Sequence, residues 1–270
     1  MGEAIVITSG KGGVGKTTVS ANLSIALALA GHRVCVVDAD IGLRNLDVVL
    51  GLENRIVYDL VHVIEGYCRL RQALVKDKRL EGLYLLPAAQ TRDKTAVNPQ
   101  QMEALIFQLK QQFDYVIVDC PAGIEQGFKN SIAGTDRAMV VTTPEMSAIR
   151  DADRIIGLLE ASGQHMVQPS LILNRYRPNM VNKGNMLSQD DVQEILAIPL
   201  IGILPESEHI VTSTNKGMPI AFQPRTVIGE AFHRISERIQ GFEVPFMDIE
   251  TDGGFFAKMK KFMGMGRVEA

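Results

Sequence analysis

The stretch AIVITSGKGGVGKTT, Ala4–Thr18, decides how this chain is read. Its first five residues, AIVIT, form an apolar run that predicts a buried β-strand. The glycine-rich segment Gly10–Thr17 fits G-x-x-x-x-G-K-[ST], a phosphate-binding loop. Gly10, Gly12, Gly13 and Gly15, with Val14 between them, let backbone N–H groups close on phosphate oxygens. Lys16 is predicted to reach the β- and γ-phosphates and Thr17 to hold Mg²⁺, with Thr18 next to it at the helix start. The following TTVSANLSIALALA, Thr17–Ala30, reads as a helix whose N-terminal dipole favours an anion. Strand, loop and helix in that order predict a nucleotide site. Lys11 has no role in that cradle, and its presence asks for a separate explanation.

The same alternation runs along the chain. Val34–Asp38, Leu83–Pro87, Tyr115–Asp119, Ala138–Thr143, Ser170–Asn174 and Leu200–Leu204 read as strands apolar on both faces. Such strands belong to a mostly parallel sheet covered by helices on both sides. Helix signals lie between them: Asn98 before Pro99, Ser188 with Asp191 at capping-box spacing, and a helical apolar period over Ser147–Ser162. The fold class is therefore α/β, a doubly wound P-loop NTPase with a mostly parallel sheet occupying residues 1–240.

Two more strands end in acids, VCVVDAD with Asp38 and Asp40, and YVIVDCPAG with Asp119 followed by Gly123. Ligands of doubly wound sheets sit at the carboxyl ends of strands, so these carboxylates can share one Mg²⁺-nucleotide. Asp119 suits the metal's water shell, with Asp38 in support, and Asp40 suits the attacking water. Each acid alone has the alternative of a strand-end cap or turn residue, an alternative that weakens when the acids are taken together with the loop. Adenine is the expected base, because LILNRYRP offers Asn174 and Arg175 where a guanine reader would carry N/T-K-x-D. Asn174 is a candidate for the adenine edge or a plain turn residue.

Composition narrows the class further. A chain of 270 residues, 46% hydrophobic and 22% charged with net charge −3, is globular and lacks the basic coat of a nucleic-acid binder. Sequence-specific nucleic acid is not an expected partner. Cys35, Cys68 and Cys120 are scattered, with no C-x-x-C, which favours a reducing compartment without disulfide or metal cage. The N-terminus reads as a strand and not as a signal peptide, and no run of about 18 apolar residues occurs, so a cytoplasmic location is expected.

The end of the chain differs from the rest. Residues 241–254 read as an acidic linker closing in Gly253-Gly254. Residues 255–267 then combine aromatics, methionines and cations. At about 100° per residue, Phe255, Met259 and Phe262 share a face, with Phe256 and Met263 at its edge. Lys258, Lys260 and Lys261 lie outside that face. This pattern suits an amphipathic helix on an anionic phospholipid surface, and a core helix docked on the domain is the alternative.

With these motifs in hand, the chain resembles the ParA/MinD family of deviant Walker A ATPases, and most specifically its division-site-selecting members. KGGVGKTT, DADIGLRNLD (Asp38–Asp47), DCPAGIE (Asp119–Glu125) and IRDADRI (Ile149–Ile155) carry the resemblance, which spans essentially the whole chain. It implies that Lys11 is the signature lysine, crossing an interface to the nucleotide of a second subunit in an ATP-dependent homodimer. It implies roles for Asp40 in switch I, where Asn45 also lies, and for Asp119 with Gly123 in switch II. Asp151 matches a partner-facing surface. The expected activity is hydrolysis of ATP to ADP and phosphate with Mg²⁺. The expected partners are a MinC-type division inhibitor, MinE or a polar anchor, and the inner face of the cell membrane. Flagellar-number and ParA-like segregation ATPases are the alternatives within the family.

Overall fold

A computed structural model of the chain describes residues 1–162 and 167–249. Among these residues eight strands form one sheet in the order β3-β4-β2-β5-β1-β6-β7-β8. The strands are β1 (Glu3–Thr8), β2 (Val34–Asp38), β3 (Val75–Lys76), β4 (Leu83–Leu86), β5 (Tyr115–Asp119), β6 (Arg137–Thr142), β7 (Val167–Tyr176) and β8 (Leu200–Pro205). Every pairing is parallel except that of β3 with β4. The period of two sorts each strand between two cores. Ala4 and Val6 join Cys35, Val37, Val116 and Val118 on one face, while Ile5 and Ile7 join Val34, Val36 and Ile117 on the other. Both faces are dry because helices cover both, which is why these strands read as unbroken apolar runs.

The expected strands and helices occur in the expected order. The helix after the loop, α1, spans Lys16–Leu29. The capping boxes at Asn98 and Ser188 are formed, each with its side chain accepting from the N3 backbone N–H. Observed strands differ from the expected ones at their ends: β1 begins at Glu3, β6 at Arg137, and β7 runs on to Tyr176. Ladder hydrogen bonds continue into polar residues that an apolar pattern does not include. β3 was not expected at all. It is a two-residue antiparallel edge strand, too short to show alternation.

Register brings the site together. β1 lies between β5 and β6, with Ile7 opposite Asp119, and β2 lies beside β5, with Asp38 opposite Asp119. The carboxyl ends of three adjacent strands therefore meet where the loop leaves β1.

The helix Val227–Ile239 closes the fold, packing Phe232, Ile235 and Ile239 into the core. Residues 241–249 carry no regular secondary structure, yet they are docked. Arg238 donates to Val244 O at 2.9 Å, Pro245 O at 2.8 Å and Ile201 O on β8 at 2.9 Å, and stacks over Phe246 at 4.2 Å. The expected amphipathic helix, with Phe255, Phe256, Lys258, Met259, Lys260, Lys261, Phe262 and Met263, lies outside the described residues.

Candidate nucleotide site

The loop turns on glycine. Gly15 sits at φ 98° at the head of α1, and no side chain caps that helix. A Cβ there would strike the Asn174 amide. The first N–H groups of α1 thus stay open toward the loop, the arrangement that binds phosphate. Gly10 makes the second close approach, lying directly on the backbone of Asp151 in the helix Met146–Ala161. This contact fixes the loop against that helix and puts Asp151 beside the loop's entrance.

The two lysines occupy different places. Lys16 is buried at 8% exposure within the cradle. Lys11 is exposed, its Nζ 3.2 Å from Ser147 Oγ and 3.9 Å from Glu145 Oε2. One cation is committed to the chain's own loop and the other rests on its rim.

The acids meet as their register requires. Asp119 is buried at the end of β5, with Ser20 Oγ donating to its Oδ1 at 2.7 Å. Burial raises the Asp119 carboxyl to about 6, against the pull of hydrogen bonds from Ser20 and Thr17 and the Lys16 charge. Asp38 is buried too, and its two oxygens accept from Asp40 N at 3.0 Å and Leu46 N at 3.2 Å. Burial first, then the charge of Asp119, raises Asp38 to about 7. Neighbouring carboxylates in one dry site resist simultaneous ionisation. Asp38 thereby clamps the loop that carries Asp40, while Asp40 itself is only half-buried beyond it. Asn45 is exposed just before the helix Leu46–Leu50. Gly123, at φ 95°, opens the loop after β5, whose Ala122 lies under Gly12 of the phosphate loop.

Asn174 serves the loop directly. Its Nδ2 donates to Val14 O at 2.7 Å and its Oδ1 accepts from Arg175 N at 2.9 Å. Arg175 takes φ 55°, an uncommon conformation for a side-chain-bearing residue that turns the chain here. Beside Asn174 a small cavity of about 80 Å³ is bordered by Gly15, Thr18, Pro205, Glu206 and Val211. Pro205 and Glu206 escaped notice in the sequence because a strand end followed by an acid is a common pattern. Ser20 and Ser147 escaped it because a serine within a helix carries no motif of its own.

Residues 5–220 match the family model described as the CobQ/CobB/MinD/ParA nucleotide binding domain. The septum site-determining protein MinD of Bacillus subtilis is 57% identical over 267 residues, covering 98% of this chain and 99% of that one. The chain belongs to the MinD family. The solved MinC:MinD cell division complex of Aquifex aeolicus contains a chain 45% identical, with TM-score 0.84, covering 91% of this chain and 98% of that one. The Pyrococcus horikoshii septum site-determining protein MinD, solved with Mg-ADP, is 32% identical with TM-score 0.79 and covers 88% and 96%. Division-site selection by a P-loop ATPase is thus the activity of this MinD-family chain, as the resemblance implied. Among its described residues no helix is long and apolar enough to cross a membrane.

Proposed function

We propose that this MinD-family chain is a Mg²⁺-dependent ATP switch that dimerises face to face when ATP is bound and then resides on the cytoplasmic membrane. The observation that carries the reading is the division of labour between two lysines. Lys16 is buried in the cradle, and Lys11 stands exposed at its rim on Ser147 and Glu145. In this reading Lys11 would leave those contacts and reach the nucleotide of a second subunit. The donor set of the cradle suits a hydrated Mg²⁺: the Thr17 hydroxyl and the Asp119 carboxylate, with Asp38 holding the adjoining loop. Mg²⁺ would supply charge compensation to the phosphates, and Asp40 would orient the attacking water. The cavity beside Asn174 is the place proposed for an adenine base.

The tail of residues 255–267 supplies the membrane contact in this reading, joined through the linker of residues 241–254. Helices this short are marginal in water, so the segment would order as it binds lipid. Each basic residue adds on the order of 1 kcal/mol at an anionic leaflet. Pairing two tails multiplies weak binding roughly 10²–10⁴-fold. Nucleotide state would then govern membrane residence through dimerisation alone. On the membrane the dimer would recruit a MinC-type inhibitor through the face bearing Asp151 and Asn45, and hydrolysis, stimulated by MinE or another factor, would release it. Size-exclusion chromatography with light scattering tests the switch. Wild type should double in mass with ATP, and Lys11→Ala should stay monomeric while still binding nucleotide. A Lys11→Ala dimer formed normally with ATP would refute it.

A further inference from the structure

Asp119 ends β5 among apolar strands, where nothing in the sheet itself determines which way its carboxylate turns. What determines it lies on the neighbouring helix. Thr17 and Ser20 are three residues apart on α1 and so share a face. Thr17 opens that face at the cradle and is itself a hydrogen-bond partner of Asp119. Ser20, one turn deeper and fully buried, has a single hydroxyl proton with two acceptors in reach. Lys16 O lies at 3.1 Å and Asp119 Oδ1 at 2.7 Å. The shorter contact to the charged oxygen is the stronger bond. Ser24, a further turn along, offers a contrast: it is equally buried, but its hydroxyl donates to Ser20 O at 2.7 Å and touches no carboxylate.

We propose that Ser20 is a positioning residue for the metal site: it fixes one oxygen of Asp119, so that the other is presented to the water shell of bound Mg²⁺. Ser20 touches neither nucleotide nor metal in this scheme and acts only through Asp119. The idea rests on the proposed Mg²⁺-nucleotide reading of the cradle and adds to it a residue that no loop motif contains. Its consequence is selective. Nucleotide affinity without Mg²⁺ comes from the loop amides and Lys16 and is independent of Ser20. The gain in affinity that Mg²⁺ brings depends on an oriented Asp119, so it depends on Ser20.

Titration of the full chain with a fluorescent ADP analogue, with and without Mg²⁺, separates the two. Ser20→Ala should bind the analogue like wild type in chelator and lose on the order of tenfold of the Mg²⁺-dependent gain, the size expected for one charge-assisted hydrogen bond. The half-saturating Mg²⁺ concentration for ATP hydrolysis should rise by a similar factor. Ser20→Thr, which keeps the hydroxyl, should restore both, and Ser24→Ala should change neither. An unchanged Mg²⁺ gain in Ser20→Ala would overturn the proposal. So would equal losses with and without Mg²⁺ in Ser20→Ala and Ser24→Ala, which would mark a purely structural role. If Ser20→Ala does not fold, failure of Ser20→Thr to preserve the Mg²⁺ gain overturns it instead. Wild type that gains no affinity from Mg²⁺ would refute the metal reading itself, a different result from any of these.

Discussion

Neutralising Asp38 should flatten the pH dependence of stability in the nucleotide-free protein. Asp38 rises from 3.8 to about 7 on folding, through burial and then the charge of Asp119. A folded value above the unfolded one means that the folded chain binds more protons between the two. Stability from this group is therefore lost as pH rises from about 4 to about 7. One extra bound proton gives a slope of about 1.4 kcal/mol per pH unit. Between roughly pH 5.5 and pH 7.5, Asp38 alone then removes about 2 kcal/mol, and Asp119, raised to about 6, removes less. For a domain of this size that is a thermal midpoint roughly 4–8 °C higher at the acid end. Asp38→Asn keeps one oxygen for Asp40 N or Leu46 N and loses one hydrogen bond at every pH. It should shift the whole curve but remove most of its slope. Thermal melts monitored by circular dichroism across that range provide the comparison. Parallel curves for wild type and Asp38→Asn would show that Asp38 does not carry the excess proton.

Two further substitutions test the frame and the loop. Arg79 ties the edge of the fold together, donating to Gly217 O at 2.7 Å and to Leu50 O, and pairing with the buried Asp77. Although burial would raise Asp77, its bonds and ion pair with Arg79 hold it below the usual carboxylate range. Arg79→Ala should therefore strand that charge and cost about 3 kcal/mol, read as a lowered urea midpoint; a change under about 0.5 kcal/mol would contradict the clamp. Gly15→Ala adds a Cβ at φ 98° that meets the Asn174 amide, so fluorescent-nucleotide affinity should fall by at least tenfold, and wild-type affinity would count against the loop geometry.

Much of this architecture was legible in the sequence because the signals were local. A strand apolar on both faces, an N-cap followed by proline and a glycine-rich turn each depend on neighbours within a few residues. The convergence of Asp38 and Asp119 was also readable, since strand ends in a doubly wound sheet gather at one edge. What could not be read depends on distant partners. Nothing near Asp38 reveals that its oxygens are taken by Asp40 N and Leu46 N, because that follows from the path of the loop. Nothing in TTVSANLS distinguishes Ser20, bonded to Asp119, from Ser24, bonded to its own helix. Composition makes residues 241–254 a linker, yet hydrogen bonds from Arg234 and from Arg238, which also spans to Ile201 on β8, hold Val244 and Pro245 against the domain. The edge strand β3 exists through its pairing with β4 and has no pattern of its own.

The central claim is that nucleotide state controls membrane residence. Co-sedimentation of the full chain with anionic phospholipid vesicles, in ATP and in ADP, tests it most directly. With ATP the wild type should pellet with the vesicles, and with ADP it should stay in the supernatant. Phe255→Glu combined with Phe262→Glu should abolish pelleting while leaving nucleotide binding intact. Equal pelleting in ATP and ADP, or pelleting that survives the double substitution, would contradict the switch.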